Sequence, residues 1–530
     1  MWNSIPITIP QDELNSLSEA LTSKIDHSSR LLRALQSNSA LEVPRSNLIC
    51  FCPNKATSGQ GATAFKDGYL LYITPHPEEV HHVTDPIDES KHDGEETKTY
   101  TVASAYHPDQ KVFKVRPAEG ASEEALRDLY VGDSGIPENL DTRDGTREVI
   151  IVVSTKSGFS LGAEIWKHVV QPVLERFGSI PLYTWNSENG KFDSSPVLDG
   201  SGADGLVGYK LLITQDKDDI ARLARTGLAP FSSKVKQQNI LLLSGDTAIS
   251  ELLNNLPAEA NELVRTITLL PTGTGNALSS SHHKLYTPLT NFLLGKPHKH
   301  PVFKARFSPG AKWAGSDDGR AIATSVKGAV VFSWGFHACL VADSDGEEYR
   351  QKYGKERFAV AARENLTPAP HVFKGRVFYW DGEGKENRLD SEDHFYVLSA
   401  LVSNLEKTLT IAPMAPRPKP VDAEGDHAPF TLFTIASGTS PERAFAIMGK
   451  AYDNGSHVNE PEVGFKRARK IRIEFLEPDW SPTGEESDVN PAWGEGRYRR
   501  LCLDGATVEV EKDGWAEVEI DGHLVELFKG

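Results

Sequence analysis

The stretch Leu243-Ser244-Gly245-Asp246-Thr247 decides the fold of this chain, together with Leu270-Pro271-Thr272-Gly273-Thr274-Gly275-Asn276-Ala277-Leu278. Each follows a short apolar run, at residues 238–243 and 266–270, of the kind expected for a buried parallel strand. Each also precedes a helix-like pattern. A strand that turns through glycine into a helix exposes backbone N–H groups, which attract anions. The two loops therefore predict a phosphate-binding edge in an α/β sheet.

Asp246 stands at the mouth of the first loop. Because phosphates repel a carboxylate, its expected roles are to hold Mg²⁺ or to accept a proton from an attacking hydroxyl group. Neither loop is a P-loop, and Gly273-Thr274-Gly275 lacks the third glycine of the dinucleotide fingerprint. Taken alone, both loops are equally compatible with ordinary strand-to-helix turns, in which Asp246 is the N-cap of a helix that starts near Ala248.

Composition limits the classes of function. The chain has 530 residues and a net charge of −17, which favours two or three domains and argues against nucleic acid as a partner. No stretch approaches the ~20 apolar residues of a membrane span. Four cysteines fit neither a disulfide framework nor a zinc site, so we expect a cytoplasmic protein. The cysteines are Cys50, Cys52, Cys339 and Cys502.

Strand and helix patterns divide the chain into three predicted parts. Residues 1–146 form an N-terminal extension, with an amphipathic helix at residues 12–36 and a strand-rich segment after it. Residues 147–290 form an α/β domain, because strand, loop and helix follow one another repeatedly. Residues 291–530 form a β-rich domain.

Within these parts, several segments carry specific predictions. Residues 185–205 are rich in Ser, Gly, Asp and Asn, and we interpret them as a surface loop. Residues 346–364 and 441–453 have helical patterns. The polar stretches 413–428 and 477–498 are interpreted as loops.

Four blocks resemble a known family. The block Ser244 to Asn254 resembles the Gly/Ser-Gly-Asp-Gly block, followed by its Glu and Asn, of the diacylglycerol kinase catalytic domain superfamily. Pro271 to Leu278 resembles the second nucleotide loop of that superfamily, and its Asn-Ala-Leu ending is most similar to sphingosine kinases. Ser333-Trp334-Gly335-Phe336 and the residues that follow, through Phe358, resemble the Trp-Gly-Phe region of sphingosine and ceramide kinases. Cys502-Leu503-Asp504-Gly505-Ala506 resembles the Val-Asp-Gly-Glu block.

The resemblance spans residues 147 to 525 and implies a fold and an activity. The fold is an α/β nucleotide-binding domain, with a parallel sheet like that of NAD kinase and diacylglycerol kinase. A β-sandwich domain follows it and completes a lipid cleft. The activity is transfer of the γ-phosphate of Mg-ATP to the primary hydroxyl of a sphingoid long-chain base. ATP and Mg²⁺ are the implied cofactors, and the implied partners are the lipid and, transiently, a membrane surface.

The resemblance also implies site residues. Asp246 is the general base or a metal-associated carboxylate. The implied nucleotide-site residues are Ser154, Lys156, Ser157, Gly158, Thr214, Ser244, Gly245, Thr247, Glu251, Thr272, Gly273, Thr274, Gly275, Asn276, Asp504 and Gly505. The implied substrate contacts are Cys339, Asp343 and Asp345.

Departures from the family pattern leave alternatives open. Ser154-Thr155 replaces the usual Asn-Pro, and Thr247 replaces the second glycine of Gly-Asp-Gly, where a side chain crowds a phosphate if the position needs positive φ. Ala506 replaces a Glu, with Glu509 nearby as a substitute. Cys339 stands where sphingosine kinases carry Asp. The alternatives are a diacylglycerol or ceramide kinase, and a pseudokinase that binds lipid or nucleotide. The oligomeric state is open.

Overall fold

The computed structural model describes most of the chain, in sixteen segments. These are residues 4–8, 10, 41–53, 68–73, 112–158, 160–195, 205–257, 263–273, 275–282, 287–314, 321–322, 325–367, 371–415, 417–422, 429–476 and 495–528. The predicted amphipathic helix at residues 12–36 lies outside these segments. So do Thr274 and most of the predicted loop at residues 477–498.

An antiparallel sheet of five strands lies near the N-terminus, in the order β2-β1-β5-β4-β3. The strands are β1 (Ser4–Thr8), β2 (Leu41–Pro44), β3 (Leu48–Pro53), β4 (Gly68–Ile73) and β5 (Val112–Pro117), and helix α1 (Glu123–Arg127) follows. Side chains alternate between the faces of a strand. Phe51 and Leu70 therefore pack beside α1, whereas Cys50, Cys52 and Leu71 pack against the next part of the chain.

A mainly parallel sheet follows. Its strands are β6 (Arg147–Val153), β7 (Ile180–Asn186), β8 (Lys191–Ser194), β9 (Gly208–Ile213), β10 (Gln237–Ser244) and β11 (Val264–Pro271), in the spatial order β8-β7-β9-β6-β10-β11. Its helices are α2 (Gly162–Ile165), α3 (Gln171–Glu175), α4 (Asp219–Arg222), α5 (Asp246–Asn255), α6 (Ala277–His282) and α7 (Thr287–Leu294), with π-helical turns at Trp166–Val170 and Leu223–Gly227. The last five residues of β6 are all buried, as expected for a parallel strand covered on both faces.

The prediction that residues 185–205 form a surface loop is wrong at β8. Strand β8 pairs antiparallel with β7 and forms a hairpin, in which Trp185 lies opposite Phe192 and their rings meet edge to face at 5.2 Å. The turn contains Asn189-Gly190, and Gly190 has a φ of +66°. Asn-Gly is a strong hairpin signal that the polar composition of the segment concealed.

The remaining strands pair antiparallel and form two layers. They are β12 (Lys296–Phe307), β13 (Lys312–Trp313), β14 (Val326–Gly328), β15 (Val331–Gly335), β16 (Phe373–Trp380), β17 (Glu386–Arg388), β18 (Asp393–Ala400), β19 (Lys419–Pro420), β20 (Phe430–Ala436), β21 (Val463–Ala468), β22 (Lys470–Phe475), β23 (Arg500–Leu503), β24 (Ala506–Glu509) and β25 (Trp515–Phe528). Phe303 and Ile473 of one layer share a buried cluster with Trp334 and Leu432 of the other. Strand β16 pairs with β18 in one layer and with β22 in the other.

Four helices accompany these strands: α8 (Phe336–Asp345), α9 (Glu347–Tyr353), α10 (Arg357–Leu366) and α11 (Pro441–Ala451). They confirm the helical patterns predicted at residues 346–364 and 441–453, with a 3₁₀ turn at Gly354–Glu356 between α9 and α10. The predicted loop at residues 413–428 contains the short strand β19. Further 3₁₀ turns lie at Arg45–Asn47, Glu138–Leu140, Ser456–Asn459 and Glu495–Arg499.

Strand β25 connects the two kinds of sheet. It pairs antiparallel with β12 and β22, and near its end Val525 forms a parallel bridge with Thr266 of β11. The β-rich part is therefore continuous with the edge of the parallel sheet. The predicted domain boundaries after residues 146 and 290 stay predictions. In the part of the chain that the structure describes, no helix combines the length and the apolar character needed to cross a bilayer.

Candidate functional site

Three loops meet at the carboxyl-terminal edge of the parallel sheet, after the neighbouring strands β6, β10 and β11. Backbone hydrogen bonds join them. The Ser154 N–H donates to the Leu243 carbonyl oxygen (2.9 Å). The N–H of buried Thr272 donates to the Ser244 carbonyl oxygen (3.0 Å). Ligands of open α/β sheets bind at this edge. The structure thus brings together the loops that the sequence singles out.

Two glycines, Gly158 and Gly273, are required by the contacts between these loops. Gly158 has a φ of +55°, and a Cβ there would lie 2.4 Å from the Thr272 carbonyl oxygen. A Cβ on Gly273 would lie 2.5 Å from the Gly245 Cα. Side chains do not fit at such distances, so any other residue would separate the loops. The glycines therefore have a packing role with or without a bound phosphate.

Asn276 holds the second loop in shape. Its backbone is left-handed, with a φ of +52°. Its Oδ1 accepts a hydrogen bond from the Gly273 N–H (2.9 Å), and its Nδ2 donates to the Gly273 carbonyl oxygen (2.7 Å). Gly275 is exposed, and a Cβ there would meet only the Leu405 carbonyl oxygen, at 3.4 Å. The Asn276 side chain thus stabilises the conformation of its own loop.

The Asp246 carboxylate joins the first loop to the second. One oxygen accepts the Ala277 N–H (2.6 Å) and the other accepts the Leu278 N–H (3.1 Å), at the start of α6. Burial raises the pKa of Asp246 to about 7; the two hydrogen bonds oppose this shift, and the charge of Asp504 adds to it. The alternative in which Asp246 caps its own helix is wrong, because Gly245 is the N-cap of α5 and Asp246 is its first residue.

The start of α5 has no side-chain cap. Its N-cap, Gly245, provides no side-chain hydrogen bond to the first turn, and Thr247 in that turn is exposed. Uncapped N–H groups at a helix start are donors for phosphate. Thr247 is helical and has no positive φ, so the steric objection that the sequence raises against it does not apply.

One residue of the loop after β6, Ser157, lies close to the start of α5. The side chain of Ser157 lies beside Gly245, with its Oγ 3.6 Å from the position of a Cβ there. Lys156 is exposed, so its ammonium group is accessible to an anion. Thr214 follows β9 and is bound to Thr155, which donates to it through its N–H (3.0 Å) and through its Oγ1 (2.8 Å). Thr214 therefore fixes the shape of this loop.

Glu251 faces the neighbouring helix α4. Burial raises the pKa of Glu251 to about 7, the charge of Asp218 adds to the shift, and the Ala221 N–H opposes it. Its partners therefore lie on and next to α4, and none of the interactions resolved for its carboxyl group comes from the three loops.

Asp504 is a structural anchor in the β-rich part. Asp504 and Gly505, with φ of +48° and +91°, form the two-residue turn between β23 and β24, as the Asp-Gly hairpin signal indicates. The buried carboxylate accepts four hydrogen bonds, at 2.6 to 2.9 Å, from the N–H groups of Ala329, Val330 and Val331 and from Ser250 Oγ. A Cβ added to Gly505 would lie 3.4 Å from the Thr247 side chain, so this hairpin lies close to the first loop.

The position after Gly505, where the family pattern expects a carboxylate, is occupied by Ala506. Ala506 begins β24, and the Glu509 carboxylate binds Arg500 at 2.9 Å. Glu509 also lies 4.0 Å from the Lys312 ammonium group. Glu509 is therefore a paired carboxylate, and its role as a substitute for the missing Glu stays a prediction.

The implied substrate residues have protein partners. Cys339 is fully buried and its thiol points at the Arg497 carbonyl oxygen (3.6 Å); burial raises its pKa to about 11. The Asp343 carboxylate binds the guanidinium groups of Arg497 (2.8 Å) and Arg500 (3.3 Å). Asp345 is exposed at the end of α8. An ammonium ligand would have to compete with two arginines for Asp343.

The described residues provide no ready set of metal ligands. They contain no group of three His, Cys, Asp or Glu side chains that could hold a metal ion. Both oxygens of Asp246 accept backbone hydrogen bonds, and its roles as a base and as a metal-associated carboxylate both stay predictions. Mg²⁺ stays a prediction.

Sequence reasoning missed two buried titratable residues, Glu526 and His300. Glu526 lies on β25 and is 2% exposed, and His300 lies on β12 and is fully buried. The signal was present in the run Leu524-Val525-Glu526-Leu527, where a single acid interrupts an apolar strand. Residues of that kind are rarely buried without a partner or a function.

Comparisons with known proteins give structural similarities only. No protein-family model matches the sequence, and no curated protein matches it. The chain is similar to a diacylglycerol kinase from Bacillus anthracis str. Sterne, with 16% identity and a TM-score of 0.39, over 72% of this chain and 96% of the other. It is also similar to an NAD kinase from Archaeoglobus fulgidus in complex with ATP, with 12% identity and a TM-score of 0.29. This similarity covers 72% of this chain and 94% of the other.

Proposed function

We propose that this chain is a kinase that transfers the γ-phosphate of ATP to a hydroxyl group of a lipid. The supporting observation is that Asp246 lies at the uncapped start of α5, between two glycine loops that pack together at the edge of the parallel sheet. The ordered sequence blocks described above point to the same chemistry. Phosphoryl transfer requires mainly positioning and charge stabilisation, which such a site can supply.

In this proposal the α5 start and Lys156 bind phosphate oxygens, and Asp246 acts as the base. The lipid hydroxyl oxygen forms a bond to the γ-phosphorus as the bond to the β,γ-bridging oxygen breaks. The hydroxyl proton moves to Asp246, and ADP leaves. A base is most effective when its pKa is close to the working pH, and the pKa of Asp246, raised to about 7 mainly by burial, meets that condition.

The acceptor that the sequence resemblance favours is a sphingoid long-chain base. The arginine partners of Asp343 instead favour a lipid without an ammonium group, because Arg497 and Arg500 already neutralise that carboxylate. Ceramide and diacylglycerol are such lipids. We propose a cytoplasmic enzyme that meets its substrate at a membrane surface and has no nucleic-acid partner.

The test is a transfer assay with labelled ATP, Mg²⁺ and separate vesicles that contain sphingosine, ceramide or diacylglycerol. We expect phosphate transfer to one of these lipids, and a loss of about 10²-fold or more in kcat for Asp246→Asn. Melting and nucleotide binding of the variant show whether its fold survives. Equal activity of the variant and the wild type would remove Asp246 from the mechanism.

Asp381→Asn is the matched control. Asp381 belongs to an Asp-Gly-Glu string and lies in the hairpin turn between β16 and β17, where it accepts the Lys385 N–H. It imitates the family motif in sequence and lies outside the candidate site. We expect Asp381→Asn to keep wild-type activity, which separates a loss at Asp246 from a general effect of removing a carboxylate.

A pseudokinase is the second candidate, and a specific observation favours it. Ala506 has no carboxylate at the turn after β23. The Asp504 carboxylate already accepts four hydrogen bonds from the protein. Nucleotide binding without transfer to any lipid in the panel would support this reading. A large gain in rate for Ala506→Glu would show that the natural site is impaired.

A further inference from the structure

Helix α11 has an apolar side that is wider than the core covers. The residues that it buries are spaced three or four apart: Ala444, Ile447 and Ala451. A second apolar stripe runs beside them, because residues seven positions apart lie on the same side of a helix. Phe445 is 43% exposed and Tyr452, the C-cap, is 51% exposed, with half-buried Met448 between them. A helix of a soluble domain normally has polar residues at such positions, so this stripe marks a contact surface.

The stripe continues onto the loop that follows β18. Met414 in this loop is 53% exposed. The Thr410 N–H donates to the Ala451 carbonyl oxygen (3.0 Å), at the end of α11. The Pro413 Cγ lies 3.1 Å from the position that a Cβ on Gly455 would occupy, just beyond the helix. These contacts hold the loop against the end of α11. We call the three exposed side chains the apolar surface: Met414, Phe445 and Tyr452.

Hydrogen bonds connect the apolar surface to the candidate site. Ser281 of α6 donates through its Oγ to the Asn404 carbonyl oxygen (3.0 Å) and accepts the Asn404 N–H (2.8 Å). The Asn404 Nδ2 donates to the Oγ1 of Thr410, which is bound to the end of α11 (3.0 Å for each bond). The Leu405 carbonyl oxygen would lie 3.4 Å from a Cβ on Gly275. The loop after β18 therefore contacts both α11 and the second glycine loop.

Basic side chains follow Met414 along the chain. Arg417 and Lys419 are exposed, and the chain between them and Met414 is short enough to keep them within about 18 Å of it. Lys419 lies directly opposite Lys299 where β19 pairs with β12, and like charges in that arrangement repel each other. Within the described part of the chain, none of these three cations forms an ion pair. An anionic partner would relieve the repulsion.

The polar side of α11 is already occupied. Arg443 binds Glu460 and Glu462, and Lys450 binds Glu460. The net charge of −17 opposes both a second copy of this chain and general attraction to an anionic membrane. A membrane contact must therefore be local, with apolar side chains and a few cations next to them. Aromatic side chains beside Lys and Arg are typical of proteins that lie in the headgroup region of a bilayer.

We propose that the apolar surface docks on a lipid bilayer, with its side chains among the headgroups and with Arg417 and Lys419 against anionic phosphates. This inference rests on the proposed function, because a lipid kinase has to reach an acceptor that lies in a bilayer. The loop after β18 then faces the membrane on one side and the second glycine loop on the other. A lipid hydroxyl group reaches the site from that side.

Vesicle binding in the absence of ATP tests the proposal. The wild type should sediment with vesicles of phosphatidylcholine and phosphatidylserine. Phe445→Gln and Tyr452→Gln should each lower the partition coefficient about tenfold, because each removes a large apolar contact. The double variant Arg417→Gln, Lys419→Gln should lower it about tenfold at low salt, and only when phosphatidylserine is present. No binding of the wild type, or unchanged binding of both aromatic variants, overturns the proposal.

Leu206→Gln is the matched control. Leu206 is 37% exposed and precedes β9 of the parallel sheet, so it is an exposed apolar residue outside the apolar surface. It should bind vesicles as the wild type does, and an equal loss in this variant overturns the proposal. Melting curves check the fold of each variant. If a helix variant does not fold, Met414→Gln tests the same surface from the loop, with an expected loss of about fivefold.

Molar mass in solution tests the other occupant. A wild-type dimer that becomes a monomer in Phe445→Gln would show that a second copy covers this surface, and would overturn the proposal. The binding assay contains no ATP, so surface-dependent binding supports the inference even if no lipid in the panel is phosphorylated. Phosphate transfer without surface-dependent vesicle binding would overturn this inference and leave the kinase proposal intact.

Discussion

Two aspartates of this molecule occupy similar sequence contexts and perform different work. Asp246 follows a strand and a glycine, and Asp504 follows a strand and precedes a glycine. Asp246 is partly exposed and accepts two backbone N–H groups, whereas Asp504 is buried and accepts three N–H groups and a hydroxyl. The comparison teaches that a carboxylate is available for chemistry only when its hydrogen-bond partners leave part of it open to a ligand.

The largest expected effect comes from Asp504→Asn. The amide keeps one acceptor oxygen but turns an NH₂ group toward backbone N–H donors, so buried groups lose their partners. We expect a loss of about 3–5 kcal/mol in the free energy of unfolding, measured by urea titration. Asp381→Asn, in an exposed hairpin turn, should cost about 1 kcal/mol or less. A similar cost for both substitutions would show that Asp504 is no anchor.

The packing of the glycine loops gives the next largest effect. Gly273→Ala places a Cβ 2.5 Å from the Gly245 Cα, whereas Gly275→Ala meets only a carbonyl oxygen at 3.4 Å. We expect Gly273→Ala to cost about 2–4 kcal/mol and to weaken ATP binding, because the two loops must separate. Gly275→Ala should remain within about 1 kcal/mol of the wild type. Unfolding titrations and ATP binding by calorimetry measure both effects.

The opposite result would also be informative. Suppose that Gly273→Ala binds ATP as the wild type does and Gly275→Ala does not. Gly275 would then contact the nucleotide, and Gly273 would have only a packing role. The matched pair therefore separates the packing role, which the distances support, from direct phosphate contact, which the sequence resemblance implies for both.

Sequence patterns predicted the parallel sheet edge, because each glycine loop follows a buried apolar run. They could not predict the partners of the two aspartates. The N–H groups that bind Asp246 lie 31 and 32 residues away, and those that bind Asp504 lie 173 to 175 residues away. Such contacts depend on strand register, which local periodicity does not contain.

The same limit applies to the implied substrate residues and to Glu526. The family resemblance implied that Cys339 and Asp343 belong to the lipid site, but their partner Arg497 comes from a distant segment that local pattern does not connect to α8. Glu526 was visible as an acid within an apolar strand. Its proximity to His300 follows from the pairing of β25 with β12, which becomes known only from the fold.

The pH dependence of stability gives a smaller effect and tests whether Asp246 is poised as a base. Its folded-state pKa, about 7, lies above the ordinary value of 3.8, so its stabilising contribution is present below that ordinary value and is lost as pH rises through about 7. The urea midpoint of the wild type should therefore fall relative to that of Asp246→Asn between about pH 4 and about pH 7. A flat difference would mean that the carboxylate is already ionised and well solvated.

The smallest expected effect is at Thr247, the residue that departs from the family glycine. Thr247 is exposed in the first turn of α5 and has no positive φ, so Thr247→Gly relieves no backbone strain. Glycine instead raises the entropy cost of the helix, and we expect a loss of about 0.5–1 kcal/mol in stability. The transfer rate should change by less than about threefold, a small difference in barrier. Thr247→Ala, which keeps the helix propensity, is the control, and a gain of tenfold or more with glycine alone would show that a left-handed backbone is needed when phosphate binds.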